Sequence, residues 1–142
     1  MTNMDIGSPP ARERALRSIT PETAKQHELL LRAIFREEID YRQRDEDQAY
    51  FENLYWCAYL LFHVGDLADV ESMWIAKNLN MDTGSGFDVE NMVGAGVEQT
   101  IEYLLERSLD DAADYIDECL PAHSQQEIEE WSRSRRSYFY DV

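Results

Sequence analysis

Between Leu54 and Val64 the chain reads LYWCAYLLFHV. Wound into a helix, Leu54, Tyr55, Cys57, Ala58, Leu60, Leu61, Phe62 and Val64 leave almost no polar face. A helix apolar all round cannot lie on a surface, so this one is central and the rest of the chain must be laid around it. Val64-Gly65-Asp66 ends it with the glycine that a helix C-terminus favours.

The flanking segments carry the spacing needed to cover such a helix. Residues 1–8 read as a flexible tail, and 9–142 as a single helical domain. Pro9-Pro10 opens a short helix through Ile19, since proline is tolerated in a first turn. Thr20-Pro21 opens another, with Leu30, Leu31, Ile34, Phe35, Glu38 and Tyr41 at three- and four-residue spacing, ending near Arg42–Arg44. Asp45-Glu46-Asp47 sets negative charge at the start of the central helix. After Gly65, the residues Leu67, Val70, Met73, Trp74 and Lys77 form a return arm, so that LLFHVGDLADVESMWIAK reads as one tetratricopeptide-like hairpin. Residues 80–96, with four of the six glycines, read as one long irregular loop in which Asp88 caps a single turn to Met92. Helices resume with Val97, Ile101, Leu104 and Leu105, then with Ser108 capping a run through Leu120, then with Ser124 capping a run through Trp131. Only the tail SYFYDV alternates enough for a strand. The expected fold is all-α, a compact bundle of about six or seven helices.

Charge is distributed unevenly. The net charge is −16 over 142 residues. Residues 1–44 hold eight Lys/Arg and seven Asp/Glu, and residues 132–142 hold three Arg against Asp141. The span 45–131 holds twenty-one acids against Lys77 and Arg107. A field of that sign repels nucleic acid and attracts basic proteins, although acidity also serves plain solubility. No stretch has the run of apolar residues that a membrane span needs, and the N-terminus lacks an apolar signal core. No membrane contact and a cytoplasmic location are therefore expected. Cys57 and Cys119 stand in no metal-like or CxxC spacing and read as two buried, reduced thiols.

Several strings resemble chemistry without completing it. Asp82-Thr83-Gly84-Ser85 matches an aspartic-protease string, but that mechanism needs two such aspartates on facing β loops. Asp82, Gly84, Gly86, Asp88 and Glu90 put glycines where a calcium loop needs acids. Gly94-Ala95-Gly96 precedes a helix as a phosphate cradle would, yet no strand leads into it and Glu98 would repel phosphate. Glu37, Glu38 and Asp40 could pair with Asp114, Asp117 and Glu118 as a magnesium-binding carboxylate cluster, or could form a solvated face. His27, His63 and His123 have no partner at metal spacing, and His63 reads as a hydrogen-bonded core residue. No metal ligands, catalytic residues or cofactor are assigned.

The segment HVGDLADVESMWIAKNLNMDTGSGFDVENMVGAGVEQTIEYL resembles an uncharacterised all-helical bacterial family. The resemblance rests on Gly65, Asp66 and Asp69, on Trp74, Ala76 and Lys77, and on Asp82, Thr83, Gly86 and Asp88. It continues through Gly94, Gly96, Thr100, Tyr103 and Leu104, and covers roughly a third of the chain. Some members of that family sit beside secreted polymorphic toxins, so the resemblance implies an immunity role and brings no active site with it. The expectation is an acidic protein-binding domain that neutralises a basic toxin-like partner. Its contact residues are expected among Asp82, Asp88, Glu90, Glu98, Asp110, Asp111, Asp114 and Tyr115, with Trp74 a further anchor. The alternatives are a metal-dependent hydrolase built on the helical carboxylates, and a helical adaptor whose Gly-Asp hairpin lines a peptide groove.

Overall fold

The computed structural model describes residues 6–44, 49–120 and 125–141. Among them are eight α-helices and three 3-10 turns, and no strand. The helices are α1 (Pro9–Arg17), α2 (Glu28–Arg44), α3 (Glu52–Val64), α4 (Val70–Lys77), α5 (Met81–Gly86), α6 (Val97–Glu106), α7 (Asp110–Cys119) and α8 (Gln125–Tyr140). The 3-10 turns are Pro21–His27, Leu67–Asp69 and Val89–Val93. No helix among the described residues is long and apolar enough to cross a membrane.

Helix α3 is the centre of the molecule. Leu54, Trp56, Cys57, Ala58, Tyr59, Leu60, Leu61 and Val64 are all buried. Helices α1 and α2, the turns Pro21–His27 and Val89–Val93, and α8 all pack on it. Gly65 closes it in the left-handed conformation (φ 70°), its N–H bonded to Leu61 O at 3.1 Å. The Gly-Asp signal thus turns the chain as expected. The two arms of the hairpin are not the main packing pair, however: α3 and α4 both pack on Val89–Val93, while the most extensive helix contacts are α6 with α7 and α2 with α3.

Four expectations need correction. Of residues 1–8, expected as a flexible tail, 1–5 lie outside the described residues, but Ile6 packs against the core, its carbonyl accepts Arg12 Nη1 at 2.9 Å, and Ser8 caps α1. The helix expected from Pro21 begins as 3-10, because the His27 ring Nδ1 binds Thr23 O at 2.9 Å, the acceptor an α turn would use. The 80–96 loop is mostly helical: Asn80 Oδ1 accepts Thr83 N–H and Thr83 Oγ1 accepts Asn80 N–H, a reciprocal cap that starts α5 in spite of its glycines. SYFYDV is no strand, since Ser137–Tyr140 complete α8 and lay Phe139 and Tyr140 on Trp56. The expected caps at Asp45–Asp47 and Ser124 lie outside the described residues.

Charged groups are also buried, and each is engaged. Arg12 and Glu38 form an ion pair at 2.5 Å between α1 and α2, and Asn53 Nδ2 adds a bond to Glu38 at 3.2 Å. Arg32 gathers Asp69 at 2.7 Å, Asp66 at 2.9 Å and Glu28 at 3.3 Å, which ties α2 to the turn after α3. Helix α8 is held largely by polar tips on an aromatic bed. Tyr59 Oη donates to Ser132 O at 3.1 Å, Trp56 Nε1 to Tyr140 Oη at 3.0 Å, and Tyr140 Oη in turn to Ile19 O. His63 Nε2 meets Ser132 Oγ at 3.2 Å, and burial holds the imidazole below its ordinary pKa.

Two backbone positions give predictions of opposite sign. A Cβ on Gly94 would collide with the Phe62 carbonyl oxygen and stand 2.9 Å from its carbon, and α3 has no room to retreat. Gly94→Ala is expected to cost about 2–3 kcal/mol in urea unfolding. Ser108 holds φ 60° in the turn joining α6 to α7, where Leu109 N–H bonds Leu104 O at 2.9 Å and Ser108 N–H bonds Leu105 O at 3.1 Å. That is a C-terminal cap built for glycine, so Ser108→Gly is expected to raise stability by about 0.5–1 kcal/mol in the same assay.

Candidate interaction surface

Helices α6 and α7 follow one another through a short turn and pack closely together. Their shared inner face is Leu104 from α6 with Ala112, Ala113 and Ile116 from α7, all buried. Outside that face, Glu98, Glu102 and Glu106 of α6 are exposed, as are Asp110, Asp111, Asp114, Asp117 and Glu118 of α7. Arg107 is the sole base between 97 and 119. It is already engaged, paired with Glu71 at 3.3 Å and lying over the Tyr103 ring at 3.8 Å.

This arrangement is costly for the helices that carry it. Glu98, Glu102 and Glu106 recur at i, i+4, as do Asp110, Asp114 and Glu118. Four like-charge pairs of that kind destabilise by about 1–2 kcal/mol in total at low salt. Glu98, Asp110 and Asp111 lie in first turns, where the helix dipole favours them. Glu106 and Glu118 lie at the C-terminal ends, where it does not, and neither helix has a base in its last turn. Half-exposed Leu105 adds an apolar contact point to the same helix.

The eight expected contact residues do not form one cluster. Glu98, Asp110, Asp111 and Asp114 lie on the hairpin and face solvent. Asp88 instead accepts the Trp131 indole N–H at 2.9 Å, which pins α8. Tyr115 packs on Trp74 at 5.6 Å between ring centres, and burial raises its pKa. Both rings remain partly exposed. Asp82 is exposed on α5, beside Tyr55, whose hydroxyl reaches Asp82 O at 3.4 Å. Glu102, Glu106, Asp117 and Glu118 are exposed beside them, and for Glu102, Glu106 and Glu118 the i, i+4 spacing is plain in the sequence.

Beside the hairpin, the glycine-bearing segment encloses a lysine. Lys77 is 7% exposed and its Nζ donates to Gly84 O at 2.8 Å and Phe87 O at 2.6 Å, with the Tyr115 ring 5.4 Å away. Burial lowers the Lys77 pKa, against which Asp88 and Glu90 work. Glu90 is half-buried and its carboxyl is raised, by burial first and then by Asp88. The segment is thus a lysine clamp, and the Gly84 and Phe87 carbonyls are its ligands.

The carboxylates proposed for a metal do not converge. Glu38 is buried against Arg12 and Asn53, and Asp40 pairs with Arg44 at 3.3 Å. Among the described residues no group of three or more His, Cys, Asp and Glu is placed to hold a metal ion. Cys57 is buried as expected, its thiol donating to Leu31 O at 3.2 Å, but Cys119 is exposed because α7 turns that position outward at its last turn. Searches of protein-family models, curated proteins and solved structures find nothing that matches the chain.

Glu90 gives a pH prediction. A carboxyl raised in the fold binds more protons folded than unfolded between its unfolded value and its folded one, so its ionisation lowers stability as pH rises through that window. Glu90→Gln is expected to raise Tm at pH 7 and to leave it unchanged near pH 4, where the native carboxyl is already protonated. An equal shift at both pH values would contradict this.

Proposed function

We propose that this protein is a protein-binding module of the immunity type, which uses the α6–α7 hairpin to occupy a basic surface on a partner protein. The observation that carries the reading is the face of eight exposed carboxylates on two adjoining helices, whose only base is already paired. Charge of one sign, held rigidly by a packed hairpin, accelerates encounter with an oppositely charged partner and orients it. Enzymes that act on nucleic acid carry basic clefts, and a toxin of that class is the partner whose surface best complements this one. The likeness to the immunity-associated family points the same way. The clustering of like charge at helical spacing costs stability, and these acids form no ion pair among the described residues, as expected for a surface completed by another molecule.

The test is co-expression with the product of the adjacent gene. The wild-type chain is expected to co-purify with a basic protein, with an association rate that falls steeply between 50 mM and 500 mM salt. A variant carrying Glu102→Lys, Glu106→Lys, Asp110→Lys and Asp114→Lys is expected to keep its helical circular dichroism and to lose about a hundredfold or more in affinity. If a toxin-like neighbour kills cells equally with and without this protein, or if the reversed variant binds as well as the wild type, the proposal fails.

A further inference from the structure

A cavity of about 550 Å³ opens where α2, α3, α5 and α8 meet, far in character from the acidic hairpin. Its lining brings Arg42 of α2 and Arg135 of α8 together with the aromatic rings of Phe51 and Tyr55 and the hydroxyl of Ser85. In a chain of net charge −16, two guanidinium groups at one cavity are conspicuous.

Arg42 is built in. It is 6% exposed, its guanidinium lies 5.3 Å over the Tyr55 ring, and its Nη2 donates to Phe51 O at 2.6 Å. Its Nε is buried without a hydrogen-bond partner. The guanidinium charge meets no ion-pair partner among the described residues, so an oxyanion drawn into the cavity would be held by it. Arg135 lies over Tyr138 at 4.6 Å and forms no ion pair among the described residues. Glu52 and Asp82 also line the cavity; Glu52 lies beside the Tyr138 hydroxyl, whose pKa it raises, and Asp82 is exposed to solvent, which screens its charge. Gly86 completes the shape, because the Tyr55 hydroxyl stands 2.5 Å from where a Cβ would be, so a larger residue there would push the ring from its place in this wall.

We propose that this cavity binds a small ligand that joins an oxyanion, phosphate or carboxylate, to a flat ring. The Arg135 guanidinium and the donors of Arg42 not bonded to Phe51 O take the oxyanion, for which planar guanidinium donors are suited. Phe51 and Tyr55 take the ring, and a volume of this size accommodates a ligand of nucleotide dimensions. The site is independent of the hairpin and of any protein partner.

Calorimetry and two-dimensional NMR on the full chain test it, with AMP, benzoate, inorganic phosphate and adenosine as probes. AMP or benzoate is expected to bind saturably and to shift the resonances of Phe51, Tyr55, Ser85 and Gly86. Which of the two binds more tightly assigns phosphate or carboxylate. Phosphate alone and adenosine, each lacking half of the ligand, are expected to bind about tenfold more weakly or worse. Arg135→Ala, a change at the rim that spares the core, should lower affinity about tenfold while its Tm stays within a degree or two of wild type. The proposal is overturned if neither anion shifts those resonances, or if Arg135→Ala binds the better anion as tightly as wild type does.

Discussion

A helix without a polar face must be covered on every side, and the arrangement of α3 decides the rest of this fold. Each element that covers it also has to satisfy what polar groups α3 does carry. The Cys57 thiol goes to α2, the Trp56 indole and Tyr59 hydroxyl go to α8, and Asn53 joins the Arg12–Glu38 pair between α1 and α2. Burying that pair is costly in solvation, and two charges so placed contribute more to fixing how α1 sits than to net stability. On the remaining side the backbone at Gly94 comes against the Phe62 carbonyl, an approach that only glycine permits.

Much of this was legible because it is local. The apolar circumference of Leu54–Val64 marks the central helix, and Gly65 marks its end, where φ is 70°. Period and caps give the all-α class without any tertiary knowledge. The failures have a common source, in side chains that act across the chain. Glycine composition suggested a loop at 80–96, but Asn80 and Thr83 cap one another and Lys77, three residues upstream, binds the carbonyls that follow. The capping pair is visible in the sequence; the lysine's destination is not. Asp88 and Tyr115 read as surface groups for the same reason, since nothing local announces Trp131 or Trp74 as their partners.

The motif residues of the segment 65–104 take on a different meaning once their contacts are known. Asp66 and Asp69 meet Arg32, Lys77 fills the clamp, Asp88 holds α8, Gly94 and Gly96 serve backbone geometry, and Thr100 Oγ1 donates to Gly96 O at 2.7 Å. Those residues hold the frame. The exposed carboxylates of α6 and α7 all fall outside that pattern, so the residues that hold the frame and those that carry the charge are separate sets.

The two thiols divide the molecule in a way that has practical use. Cys57 is wholly buried and burial pushes its thiol well up, so it stays protonated and shielded. Cys119 is exposed at the last turn of α7, on the helix that carries five of the carboxylates. A maleimide dye should therefore find a single address on the native protein, at the edge of the acidic face, with no residue needing to be changed. The chain comes with its own reporter position, and oxidation at that same position is the first route by which stored protein would cross-link into pairs.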